Sequence, residues 1–138
     1  MTASRTARRK IIIDTDPGQD DAVAILLALG SAELDVIGIT AVAGNVPLSL
    51  TETNARKICE LAGRPDVKVF SGAVRPLVRS LVTAEHVHGK TGLDGPVLPD
   101  PTMKLQAQYA VDFIVETLMR EEDGTVTPGN ASGINDGA

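Results

Sequence analysis

The chain has 138 residues, enough for one domain of modest size, and its 43% hydrophobic and 22% charged content excludes a wholly disordered, collagen-like or coiled-coil protein. Aromatic residues make up only 2%, with no Trp, so the core must be built from Ala, Val, Ile and Leu, and an aromatic platform for single-stranded nucleic acid is excluded. Thirteen Lys and Arg against eighteen Asp and Glu give a net charge of −5, the wrong sign for a phosphate-backbone partner and the right one for a cation or a small substrate.

Residues 1–9, with Arg5, Arg8 and Arg9, read as a solvated basic leader. The apolar run behind them, Ile11, Ile12 and Ile13, is too short for a signal peptide's apolar region, and no run approaches the roughly 18 apolar residues that span a bilayer. Residues 10–14 predict a β-branched, buried strand closed by the turn signal Pro17-Gly18. Residues 20–29 are apolar on all sides from Ala22 onward and stop at Gly30, the pattern of a buried helix. A second strand is predicted over 35–42, closed by Gly44, and a helix over 47–62 with Gly63 behind it. A third strand takes 67–70, and Leu105, Tyr109, Phe113, Thr117 and Leu118 predict a helix over about 104–120. Residues 125–127 begin a fourth strand. The intervening residues 72–103 hold Pro76, Pro96, Pro99, Pro101 and both histidines without periodicity, and a loop that long is functional or disordered.

Strands alternating with helices predict an α/β fold: an open, mostly parallel Rossmann-like sheet with helices on both faces and right-handed crossovers. Ligands collect at the carboxyl ends of such strands, so the loops at 14–21, at 43–47 and from 72 onward should face one another. The single cysteine, Cys59, excludes an internal disulfide and a Cys-rich zinc site. It reads as a small buried hydrophobe, and the chain as cytoplasmic.

Asp14, Asp16, Asp20 and Asp21 fall within eight residues at the end of the first strand. Carboxylates crowded at a buried strand end repel one another, so some must be protonated or a cation must neutralise them. All the donors are oxygens, which favours Ca²⁺ or Mg²⁺. An EF-hand is excluded, because a loop starting at Asp14 places Gln19 where Gly is needed and Ile25 where an acid is needed. The simpler structural alternative is that Asp20 N-caps the helix, Asp21 complements its dipole and the other two merely end a strand. Four acids together, with the chain bent between the pairs, favour a metal or substrate site.

The run Asp14-Thr15-Asp16-Pro17-Gly18-Gln19-Asp20-Asp21-Ala22 after a strand resembles the signature of the inosine/uridine-preferring nucleoside hydrolase family. The resemblance extends through Gly44-Asn45, Asn54-Ala55, Arg75-Pro76-Leu77 and His86-Val87-His88-Gly89, over about residues 10–123. It implies Ca²⁺-dependent hydrolysis of the N-glycosidic bond of ribonucleosides to ribose and free nucleobase. By similarity Asp16 binds calcium and is the general base, Asp21 is a calcium ligand, and Asp20 grips a ribose hydroxyl. Asn45 lies near ribose and metal, His88 lies toward the nucleobase, and Asp14 supports the cluster. Family members are commonly homo-oligomers.

The resemblance also implies later residues that complete the calcium shell, the leaving-group machinery and the base pocket, and these have no counterpart here. Residues 128–138, Pro-Gly-Asn-Ala-Ser-Gly-Ile-Asn-Asp-Gly-Ala, are instead similar to a thiolase segment and read as a Gly-rich tail. The expectation is therefore a truncated form with residues 10–127 as the hydrolase part, weak or absent turnover, and self-association through an exposed sheet edge. Two other readings compete: a catalytically silent α/β fragment that binds a cation or partner, and a phosphatase using Asp14-x-Asp16, which Pro17-Gly18-Gln19-Asp20-Asp21 fits poorly.

Overall fold

The computed structural model of the chain describes residues 7–121 and 126–130. Strand β1 (Arg9–Thr15) leads through a short turn into helix α1 (Gln19–Gly30), followed by β2 (Leu34–Ala41), α2 (Leu48–Leu61) and β3 (Val69–Ser71). A long segment carrying only the short helix α3 (Glu85–His88) then reaches α4 (Ala110–Arg120) and β4 (Val126–Asn130). All the strands pair in parallel, in the order β3-β2-β1-β4. The predicted α/β class and parallel sheet are thus what the structure has.

The β-branched residues alternate across the sheet as a pleated strand requires. Ile13, Ile39 and Val69 join Ile25, Leu29, Ala55 and Ile58 in a buried cluster that packs α1 and α2 onto one face. The register between β1 and β2 shifts at Ile11/Ile12, which leaves Ile37 unpaired and keeps Val36 and Ile39 on the same face. On the other face Phe70 stacks on Phe113 of α4, with ring centroids 3.8 Å apart, against Gly38, whose lack of a side chain leaves room for the rings. Helices therefore cover both faces. The strand order turns back at β1, since β2 and β3 lie on one side of it and β4 on the other. A crevice at such a switch point, at the strands' carboxyl ends, is where α/β sheets bind ligands, and the aspartate loop is what β1 places there.

Several boundaries differ from expectation. The helix predicted over 104–120 starts only at Ala110, because the Gln106 N–H donates to the Val69 carbonyl (2.9 Å) and holds the preceding chain extended beside β3. Leu105 reaches the core from that extended stretch rather than from a helix face. Gly30 is the last residue of α1 instead of its stop, and Ser31 ends the helix with ψ 130°. Arg9, read from the sequence as part of a leader, belongs to β1, and its N–H donates to the Glu33 carbonyl (2.8 Å). Backbone pairing of β4 continues past residue 127 to Asn130, opposite Asp14, while residues 131–138 of the thiolase-like tail lie outside the described residues.

Val111, Val115, Leu118 and Met119 on α4, and Leu77, Val78 and Val82 in the long segment, are exposed. Among the described residues no helix is long and apolar enough to cross a membrane.

Candidate active site

The site is built on the turn between β1 and α1. Thr15, Asp16, Pro17 and Gly18 are all buried, so the turn runs through the protein rather than over it. Buried polar groups need partners, and the partners here come mostly from the loop after β2. The Asn45 N–H donates to Asp16 Oδ2 (2.7 Å), and Asn45 Nδ2 donates to the Asp16 carbonyl (2.9 Å) and to Asp21 Oδ2 (3.3 Å). Asn45 thereby fixes both carboxylates. Gly44, just before it, is the only residue type that fits, because a Cβ there would overlap the Asp16 carboxylate.

Asp21 stands in the first turn of α1 and accepts a hydrogen bond from the Gly18 N–H (3.1 Å) at the helix start. Gly18, not Asp20, occupies the N-cap position, so the simple capping role for Asp20 does not hold. Burial holds the Asp21 carboxyl above its ordinary value, with the Asp16 and Asp20 charges adding to the rise and the Gly18 N–H opposing it. Asp21 Oδ1 is buried without a hydrogen-bond partner. A carboxylate kept in this condition costs stability, and the sign is definite. The folded state holds its proton more tightly than the unfolded chain, so stability falls as pH rises from the unfolded value through the raised folded one, and stays lower above it. In EDTA, urea midpoints measured from pH about 4 to 7 should therefore fall for the wild type relative to Asp21→Asn, whose side chain does not ionise. A constant difference across that range would contradict the assigned cause.

Asp20 is exposed, with 68% of its side-chain surface accessible, and its Oδ1 lies 4.0 Å from His88 Nδ1. His88 is mostly buried, packed over Gly18, and its Nδ1 has no hydrogen-bond partner. His86 is exposed. Asp14 faces elsewhere: its Oδ1 accepts from the Thr40 hydroxyl (2.6 Å), and no hydrogen bond among the described residues joins it to the other aspartates. The structure thus brings Asp16, Asp21 and Asn45 into direct contact, sets Asp20 and His88 at the rim, and leaves Asp14 as a partner of β2.

Among the described residues no group of three or more His, Cys, Asp or Glu converges as a metal site. The donors that do converge are nonetheless hard oxygens: two buried carboxylates, one with an unpartnered oxygen, which is a partial set of the kind Ca²⁺ takes. Cys59 is buried in the core and its thiol is pushed up to about 12 by burial. It takes no part in the site. The thiolate is the reactive form, so Cys59 should resist a disulfide reagent at pH about 8 in the folded chain and react within minutes in denaturant. Fast labelling without denaturant would show that the core opens.

Asn54 entered the sequence reading only as part of the Asn54-Ala55 resemblance, with no role given to it. Asn54 on α2 is 3% exposed, and its Nδ2 donates to the carbonyls of Pro17 (3.1 Å) and Thr91 (2.7 Å). The available signal was an asparagine on the helix stripe that also buries Thr51, Ala55 and Ile58.

A sequence profile of the family described as inosine-uridine preferring nucleoside hydrolase matches residues 11–128. An uncharacterized protein of Schizosaccharomyces pombe is 55% identical over 118 residues, which are 86% of this chain and 38% of that protein. The pyrimidine-specific ribonucleoside hydrolase RihA of Escherichia coli is 50% identical over 113 residues, 82% of this chain and 36% of that protein. Among solved structures, the purine-preferring ribonucleoside hydrolase from Gardnerella vaginalis superimposes with a TM-score of 0.82 at 34% identity, over 88% of this chain and 39% of that one. A plant nucleoside hydrolase does so with a TM-score of 0.80 at 38% identity, over 90% of this chain and 39% of that one. The chain spans less than two-fifths of the length of these relatives. On the profile match, on identities of this size, and on a strand-turn-helix that gathers buried aspartates at the switch point, the chain belongs to the inosine-uridine preferring nucleoside hydrolase family.

Proposed function

We propose that the aspartate loop is the calcium- and ribose-binding part of a ribonucleoside hydrolase site, and that its chemistry is cleavage of the N-glycosidic bond to ribose and free nucleobase. The observation that carries this reading is the buried Asp16–Asn45–Asp21 contact at the end of β1 in a chain of this family. Asp16 and Asp21 would hold the cation, which when bound supplies Lewis acidity toward a water and an anchor for ribose hydroxyls.

The chain's own residues do the rest. Asp16 Oδ2 is committed to the Asn45 N–H, and no hydrogen bond among the described residues reaches Oδ1, which leaves one oxygen to take the proton of the attacking water. Water oxygen bonds to the anomeric carbon as the bond to the base nitrogen breaks, and the electron pair leaves on that nitrogen, which takes up a proton from solvent while Asp16 later releases its own. Positive oxocarbenium charge develops on the sugar, and the buried carboxylates of Asp16 and Asp21 stabilise it. Asp20, at the exposed rim, is placed to accept from a ribose hydroxyl. His88, beside it, takes the nucleobase side. Asp14 supports the loop through Thr40.

Calcium prefers six to eight oxygens, and Asn45 joins only two carboxylates, those of Asp16 and Asp21, among the described residues, so we expect weak binding and low turnover. The cytoplasmic setting and self-association through an exposed sheet edge, with the exposed apolar faces beside it, belong to the same proposal. The exposed side chains of α4 support the latter. Reducing-sugar release from inosine and uridine, with Ca²⁺ and with EDTA, tests the reaction. Release above background that requires calcium supports it. Release unaffected by EDTA would remove the cation from the mechanism, and hydrolysis of a phosphate monoester with Mg²⁺ instead would revive the phosphatase reading.

A further inference from the structure

The segment around His88 carries a residue of the proposed site but has little regular structure of its own. Its attachments are specific. The Ala84 N–H donates to the Asn45 carbonyl (2.8 Å), and Gln19 Nε2 donates to the Asp94 carbonyl (3.0 Å). Between these ends the segment is pinned from below by Asn54, whose two amide hydrogens go to two carbonyls: Pro17 in the aspartate loop and Thr91 in the His88 segment. Both neighbours are acceptors, so only the nitrogen end of the amide can face them. Gly92 seats the segment against this tie. It is buried with φ +83°, and a Cβ there would lie 3.0 Å from Asn54 Nδ2 and 3.2 Å from the Pro17 oxygen.

We propose that Asn54 is a positioning residue that couples the two loops, so that the register of His88 over Gly18 and beside Asp20 is set from α2. Neither serine nor aspartate does this. Serine has one hydroxyl hydrogen, and aspartate would present oxygens to two carbonyl oxygens. The functional consequence is on substrate binding at the rim, where Asp20 and His88 stand, and that part rests on the ribonucleoside reading of the site.

Amide hydrogen exchange reads the coupling whether or not the chain turns over. In Asn54→Ala and Asn54→Asp, the amides of Ala84, Val87, His88 and Gly89 should exchange about ten-fold faster, while those of the β1–β2 ladder change less than about two-fold. Gly92→Ala crowds the Asn54 amide from the segment side while leaving the sequence of α2 unchanged, and should give the same local pattern even if the Asn54 variants fold poorly. Unchanged exchange at 84–89, or acceleration spread equally over the ladder, would overturn the coupling. Calorimetry of inosine or uridine, if the wild type binds either, should show about ten-fold weaker affinity in the variants. Equal affinity would overturn the link to substrate. A wild type that binds neither nucleoside would count against the ribonucleoside reading, with the coupling still decided by the exchange rates.

Discussion

Asp16→Asn is expected to lower calcium-dependent ribose release by about 10²–10⁴-fold while leaving the fold in place. The structure gives both halves of this expectation. Asp16 is 2% exposed, and its anchoring contact is a single N–H from Asn45, which an amide oxygen accepts as well as a carboxylate does. The fold contact survives, so the unfolding free energy from urea titration should stay within about 1 kcal/mol of wild type. What the amide lacks is basicity and charge. It cannot take a proton from water near neutral pH, and it halves the charge of the Asp16–Asp21 pair that would bind a cation and face an oxocarbenium centre. Activity within about two-fold of wild type would mean that another group is the base.

Gly44→Ala should damage the same site from outside its carboxylates. The three atoms nearest an added Cβ are Oδ2, Cγ and Cβ of Asp16, all within collision distance. Neither side yields easily, because the Gly44 N–H donates to the Val46 carbonyl (3.2 Å) and Asn45 holds the aspartate. Overpacking of this kind costs about 1–3 kcal/mol, and relief by moving Asp16 removes it from Asn45 and Asp21. Urea unfolding and a calcium titration would record both effects. Gly30→Ala is the control: nothing lies within 4 Å of its added Cβ, and the residue is helical, so it should be neutral or stabilising by up to about 1 kcal/mol. A Gly44 variant that behaved like the Gly30 variant would show that the close approach to Asp16 is not required.

The elements that sequence pattern located well are those whose residues choose their own conformation. Ile11, Ile12 and Ile13 favour a strand by side-chain branching, and the apolar run from Ala22 to Leu29 favours a helix, although that helix is not buried on all sides as expected: Ile25 and Leu29 face the core while Val23 and Leu27 are exposed. Where pattern and tertiary contact compete, contact wins. Leu105, Tyr109 and Phe113 have helical spacing, yet the pairing of Gln106 with Val69 keeps the first two out of the helix, and Tyr109 is largely exposed. The aspartate loop was legible as a site because charge crowding is visible in one dimension. Its internal division was not: Asp14 turns to Thr40, which is 26 residues away, and Asp20 is left at the rim. Asn54 was equally hidden, since its partners, Pro17 and Thr91, each lie 37 residues from it along the chain. The strand order β3-β2-β1-β4, which turns the loop after β1 into a crevice, is likewise a property of pairing rather than of any segment.

Calorimetric titration of Ca²⁺ into the folded chain, beside an Asp16→Ala/Asp21→Ala double variant shown to be folded, bears most directly on whether this loop is a calcium site. Binding by the wild type that is lost in the double variant is the expected result, with an affinity well below that of a site of six to eight oxygens. A folded wild type that takes up no calcium, or a double variant that binds as well as the wild type, would contradict the assignment of Asp16 and Asp21.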